Sequence, residues 1–112
     1  MNEDTVCFAN TGQRLPLYVT MAGLTYPDSS YRIHRDHSDT VVVEYVLSGL
    51  GYIAVGDRYY PVGQDQVYVL REAERHDYYA DREQPYEKVF LNVSGPLAME
   101  LIAAYQLKER YV

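Results

Sequence analysis

Residues 40–62 read TVVVEYVLSGLGYIAVGDRYYPV. Residues 40–47 are rich in β-branched side chains, a composition that favours a pleated, half-buried strand. Ser48-Gly49-Leu50-Gly51 then turns the chain, and residues 52–55 run back. Gly56-Asp57 supplies a second turn, and residues 58–62 form a third strand. Three short strands joined by Gly-containing turns point to antiparallel β structure.

The pattern continues on both sides. Upstream, Leu15, Leu17, Val19 and Met21 alternate along residues 15–21, and Gly23 is expected to end that run. Residues 26–30 (YPDSS) form a loop, and residues 31–35 a short strand. Downstream, strands are expected at 66–70, 76–80 and 87–93, with a polar loop at 71–75 and a loop containing Pro85. Strands thus recur at roughly ten-residue spacing, which predicts a compact antiparallel sandwich or barrel over about residues 5–93. Ser94-Gly95-Pro96 then caps a helix over about residues 96–108, with Leu97, Leu101 and Tyr105 along one face and Ala98 and Ile102 beside it. The N-terminal few residues are expected to be disordered. No repeat, linker or low-complexity tract divides the chain, so residues 1–112 read as one domain.

Charge narrows the function. Ten Lys and Arg stand against sixteen Asp and Glu, a net charge of -6. A chain with this balance and no basic block does not neutralise phosphates, so these residues are not expected to grip nucleic acid themselves. The one cysteine, Cys7, rules out an internal disulfide framework and fits a reducing compartment. No apolar run is long enough to cross a membrane, and the acidic start is not a secretory signal. The expected location is the cytoplasm.

Candidate chemistry gathers around three histidines, His34, His37 and His76, and around Glu44. Glu44 lies among Val42, Val43, Tyr45 and Val46. If it faces inward it needs a partner, because an unpaired buried charge costs several kcal/mol. The candidates are a metal, Arg35, His76 and Lys88. Three arrangements follow. His37, Glu44 and His76, with Asp39, could hold a metal as two histidines and a carboxylate. The same groups could hydrogen-bond a small ligand. Or Glu44 could face solvent with the histidines in loops. Thirteen tyrosines, with two Phe and no Trp, are the other unusual feature. A tyrosine offers a flat apolar face and one hydroxyl, which suits a sugar ring but also suits ordinary sheet packing. No nucleophile elbow, Walker loop, dinucleotide fingerprint or CxxC pair is present.

The run from His37 through Asp39, Glu44 and Gly49 to Gly51 resembles the first cupin motif, with Asp39 in the place of the second histidine. From Gly63 onward, the order of His76-Asp-Tyr78, Ala80-Asp81, Pro85-Tyr86, Ser94-Gly95 and a helix ending near Tyr105-Gln-Leu107 resembles the effector-binding domain of AraC-type transcription regulators. Ala22-Gly23-Leu24-Thr25, followed by Arg35, is similar to the start of arabinose-responsive members. Tyr86 stands where the family often has Trp.

The resemblance implies a cupin-like antiparallel jelly-roll barrel, mainly β, followed by a C-terminal α-helix. It implies a small polar effector, a sugar by analogy, inside the barrel. Thr25 and Arg35 match positions that hydrogen-bond sugar hydroxyls. Tyr78, beside His76, matches an aromatic pocket position. Lys88 and Phe90 fall where the family places a polar group and an aromatic wall, and Glu44 shares the inward face of its strand with Val42. The expected ligand-binding set is therefore Thr25, Arg35, Glu44, His76, Tyr78, Lys88 and Phe90, with no catalytic residue, metal or cofactor. A homodimer is expected. The helix-turn-helix DNA-binding domain is absent from these 112 residues, so the chain reads as the sensing half of a longer protein that meets DNA through its other half. The alternative is a stand-alone cupin metalloenzyme of isomerase or dioxygenase type using His37, Glu44 and His76. A third possibility is a dimerisation module with an unused barrel, which a small or collapsed interior would indicate.

Overall fold

A computed structural model describes residues 3–8, 15–71 and 75–104. The elements are, in chain order, β1 (Glu3–Cys7), β2 (Tyr18–Thr25), β3 (Arg32–Arg35), β4 (Val41–Ser48), β5 (Leu50–Val55), β6 (Arg58–Gly63), β7 (Val67–Leu70), β8 (His76–Ala80), β9 (Glu87–Ser94) and α1 (Pro96–Ala104). They form two antiparallel sheets, one ordered β1-β2-β9-β4-β7 and the other β3-β8-β5-β6. This is an antiparallel sandwich, as the strand spacing predicts, with the jelly-roll form that the resemblance implies and one helix after it.

Residues 40–62 become β4, β5 and β6 almost as their composition dictates. β4 lies in the five-stranded sheet between β9 and β7, while β5 and β6 pair in the other sheet. The chain crosses between sheets at Gly49, whose φ of 79° is left-handed. Alternation along β4 sends Val42, Glu44 and Val46 into the space between the sheets and leaves Tyr45 and Leu47 on the outer face. β9 does the same with Lys88, Phe90 and Asn92 inside and Val89 and Leu91 outside. The main core joins Val42, Val46, Ile53, Val62, Tyr68 and Leu70 to Tyr31, Tyr78 and Tyr86. Four of the thirteen tyrosines, Tyr31, Tyr68, Tyr78 and Tyr86, are therefore interior packing.

Three expectations are corrected. Residues 3–7 are not disordered: they form β1, paired antiparallel with β2 from Glu3↔Thr25 to Cys7↔Met21. The segment EDTVC carries no hydrophobic signal because four of its five side chains are exposed and the backbone does the pairing. Gly23 does not end a strand. It lies within β2, opposite Phe90, and a Cβ there would fall 2.6 Å from Cζ of that ring. The glycine makes room for the ring rather than a turn. Finally, α1 buries Ala98 and Ile102 rather than the Leu97–Leu101 face. Those two pack on Val41 with Val43, Val69 and Val93, so the helix covers part of the outer face of the five-stranded sheet. Tyr105 and the expected end of the helix near residue 108 lie outside the described residues.

Gly51 is the tightest approach inside the core. A Cβ on this buried residue would sit 2.6 Å from Cδ2 of the fully buried Tyr86 ring. The ring cannot yield without displacing its neighbours. Gly51→Ala is expected to destabilise the domain by about 1–3 kcal/mol through overpacking. Urea denaturation checks this; an unchanged midpoint would show that the core can absorb the methyl group.

Candidate ligand pocket

The pocket is built on the pairing of β4 with β9. Their register sets Glu44 opposite Phe90 and Val46 opposite Lys88, so both charged side chains point between the sheets. Lys88 Nζ lies 2.7 Å from Glu44 Oε2, with both side chains essentially without solvent contact. The ammonium also donates to the Tyr31 hydroxyl at 2.9 Å. Four rings surround it, with centroids at 4.7 Å (Tyr31), 5.3 Å (Phe90), 5.4 Å (Tyr78) and 5.4 Å (Tyr86). Desolvation is thus offset by one carboxylate, one hydroxyl and the negative faces of an aromatic cage. Burial pushes the Glu44 carboxyl up and the Lys88 ammonium down, each against the attraction of the other.

Two further polar contacts complete the wall. Arg35 Nη1 donates to the Tyr78 hydroxyl at 2.9 Å, and Thr25 Oγ1 donates to Glu3 Oε2 at 2.5 Å. Between these groups lies a cavity of about 40 Å³, bounded by Glu3, Met21, Tyr31, Ile33, Arg35, Glu44, Tyr78, Phe90 and Asn92. That is room for a few waters, the small interior that the dimerisation-module possibility calls for.

The structure brings most of the expected set together. Arg35, Glu44, Tyr78 and Phe90 line the cavity, while Lys88 and Thr25 contact lining residues. His76 does not join them: its Nε2 lies 2.7 Å from the Arg71 carbonyl oxygen, and the ring is buried at the start of β8. The arrangement with Glu44 facing solvent is overturned, since Glu44 is 2% exposed and faces inward. The donor set of the metalloenzyme alternative does not converge. Glu44 is held by Lys88, His76 faces the Arg71 carbonyl, and the His37 side chain is 66% exposed, 3.8 Å from Asp39. Among the described residues, no group of three or more His, Cys, Asp or Glu side chains is placed to hold a metal ion.

Sequence reasoning missed Glu3, Met21, Ile33 and Asn92. Asn92 was within reach, since it follows Lys88 and Phe90 on the same face of β9. Glu3 carried no signal, because its place depends on the backbone pairing of a polar edge strand.

Comparison with known proteins agrees with this geometry. The sequence model of the AraC-like ligand binding domain matches residues 17–112. No curated protein sequence matches the chain. Among solved structures, a cupin protein from Bacteroides fragilis aligns with a TM-score of 0.57 at 12% identity, over 66% of this chain and 64% of that one. The Cnp3 cupin domain of Schizosaccharomyces pombe aligns at 0.60 and 7% identity, over 91% of this chain and 69% of that one. An HTH_3 family transcriptional regulator from Vibrio cholerae aligns at 0.53 and 11% identity, and this chain spans 51% of its length against 81% of its own. At such identities the structural likenesses establish the fold alone, a cupin-like jelly roll. With the sequence match running over nearly all of that jelly roll and the helix behind it, the chain belongs to the AraC-like ligand binding domain family.

Proposed function

We propose that this chain is the sensing part of an AraC-type transcription regulator, binding a small polar effector of sugar-like chemistry between its sheets and catalysing no reaction. Occupancy would pass to a DNA-binding domain outside these residues, with the chain acting as a homodimer in the cytoplasm. One observation carries this reading. The centre of the barrel is polar and charged, with Lys88, Glu44 and Thr25 buried and Arg35 half-buried around one cavity. A buried ion pair adds little net stability over well-packed apolar residues of the same volume, so stability does not account for it. A recognition site does.

The outer face of the five-stranded sheet supports the dimer. Leu17, Val43, Val67, Val69, Leu101 and Ile102 help line an apolar depression of about 420 Å³ beside α1, and exposed Tyr45, Leu47, Val89 and Leu91 extend that face. The interior is the demanding feature. Ligand pockets run to about 300–1,000 Å³, so the cavity of about 40 Å³ must open for an effector to enter. Binding selects that opened state and shifts the population toward it.

Titration calorimetry and thermal melts with a panel of pentoses, hexoses and their derivatives test the proposal. One effector should give saturable heat and, at a hundredfold excess over its dissociation constant, stabilise the fold by about 2.7 kcal/mol. Arg35→Ala should abolish the effect. A flat response across the panel would favour the filled barrel as a dimerisation module.

A further inference from the structure

We propose that the effector carries a carboxylate, and that this carboxylate takes the place Glu3 occupies in this structure. The inference rests on the sensing reading and names the chemical class of its effector, a hydroxy acid or sugar acid.

Glu3 is the one residue of β1 that is not exposed, and its side chain reaches the cavity wall. There its carboxylate accepts a hydrogen bond from Thr25 Oγ1, on the last residue of β2. β1 itself is an edge strand of five residues paired only with β2. Beyond that pairing, the Tyr26 hydroxyl donates to Asp4 Oδ2 at the protein surface. A carboxylate on a short, lightly held strand therefore closes this polar space between the sheets.

Charge balance makes that carboxylate a stand-in for a ligand group. Four charged side chains meet at the cavity or directly behind it: Lys88, Arg35, Glu44 and Glu3. Lys88 and Glu44 satisfy each other at 2.7 Å. Glu3 is the remaining anion and Arg35 the remaining cation. Among the described residues no carboxylate lies within ion-pairing distance of Arg35, which donates instead to Tyr78. A ligand group that takes the Thr25 hydrogen bond displaces Glu3. A neutral ligand would leave a half-buried guanidinium facing only the Glu44 carboxylate that Lys88 already holds, a costly arrangement in low dielectric. A carboxylate ligand restores the balance and accepts the Thr25 hydrogen bond. The Asn92 amide and the Tyr31 and Tyr78 hydroxyls on the cavity wall suit the hydroxyls of such a ligand. Its differential contacts would then bias β1 between paired and released states, which is the requirement for a signal.

The chain supplies its own probe. Cys7, the one cysteine, is exposed on β1 and pairs with Met21, so a nitroxide there reports whether β1 stays docked. Galacturonate, gluconate and lactate are compared with galactose, sorbitol and propane-1,2-diol by calorimetry and by label mobility. At least one acid is expected to bind and mobilise the label, with its neutral counterpart doing neither. Glu3→Gln, checked for folding by circular dichroism, should tighten that acid by about tenfold and leave the neutral compounds unchanged. Neutral sugars binding as well as the acids, or an acid binding with the label unmoved, would overturn this inference and leave the sensing reading standing. No binding by any acid or sugar would overturn both.

Discussion

Lys88→Met is expected to destabilise the domain by about 3–5 kcal/mol, a large part of the total stability of a domain this size. The methionine fills much of the space and keeps the contact with the four rings, so packing is not the main loss. The loss is electrostatic: Glu44, 2% exposed, would be left as a carboxylate facing aromatic rings with its 2.7 Å partner gone. The deficit should depend on pH in a definite direction. Burial already raises the Glu44 pKa above its ordinary value, and removing the ammonium raises it further. For a carboxyl whose folded pKa lies above its unfolded one, stability is fully present below the unfolded pKa and is lost as pH rises through the folded one. The variant should therefore come closest to the parent in acid and fall behind toward neutral pH. Adding Glu44→Leu removes the stranded charge, and the double variant should recover most of the loss. Urea denaturation of the two single variants and the double variant completes the cycle. A single variant within about 1 kcal/mol of the parent at neutral pH would mean that the pair is not buried as described.

That pair also shows how far the sequence alone could go. A carboxylate inside the run VVVEYV had to find a partner, and Lys88 was one of four candidates. What singled it out was the register of β4 against β9, which puts Lys88 opposite Val46 and its ammonium beside Glu44. Strand register is a product of the whole sheet and is not written locally. The same limit explains the N-terminus. β1 has no alternating apolar face, so its docking, and with it the position of Glu3, follows from backbone pairing with β2. Gly23 misled for a related reason. Its role is set by the Phe90 ring across the sheet rather than by its neighbours in sequence. His76 looked like a site residue because it heads a strand in a family-like motif, but its ring bonds backwards to the loop carbonyl of Arg71. The family resemblance named Thr25, Arg35, Glu44, Tyr78, Lys88 and Phe90, and the structure gathers them in and around one interior. The size of that interior depended on where the tyrosine rings lie, which composition does not specify.

Those rings carry the second large expectation: the domain should unfold cooperatively in alkali, with a steep onset above pH 10. Tyr31, Tyr78 and Tyr86 are each 3% exposed or less. Burial pushes all three hydroxyls well above the ordinary tyrosine value, and the negative charge of Glu44 adds to the shift. In the unfolded chain the same groups ionise near pH 10. A raised folded pKa contributes stability that is fully present below the unfolded value and is lost as pH rises beyond it. Each such tyrosine should therefore cost about 1.4 kcal/mol per pH unit above 10, and three together about 4 kcal/mol per unit. Lys88, lowered by burial, works the other way only until the unfolded lysine itself titrates near 10.5. Two units of alkali then approach the whole stability of an ordinary domain. The near-ultraviolet absorbance of tyrosinate should rise in two stages. The buried set should make up the later stage, appearing together with the loss of circular dichroism. Tyr86→Phe should flatten the pH dependence of stability by about a third, because it removes one of the three linked protons. A smooth titration of all thirteen tyrosines with the β signal intact would show instead that solvent reaches these rings in the native fold, and that the barrel interior is already open.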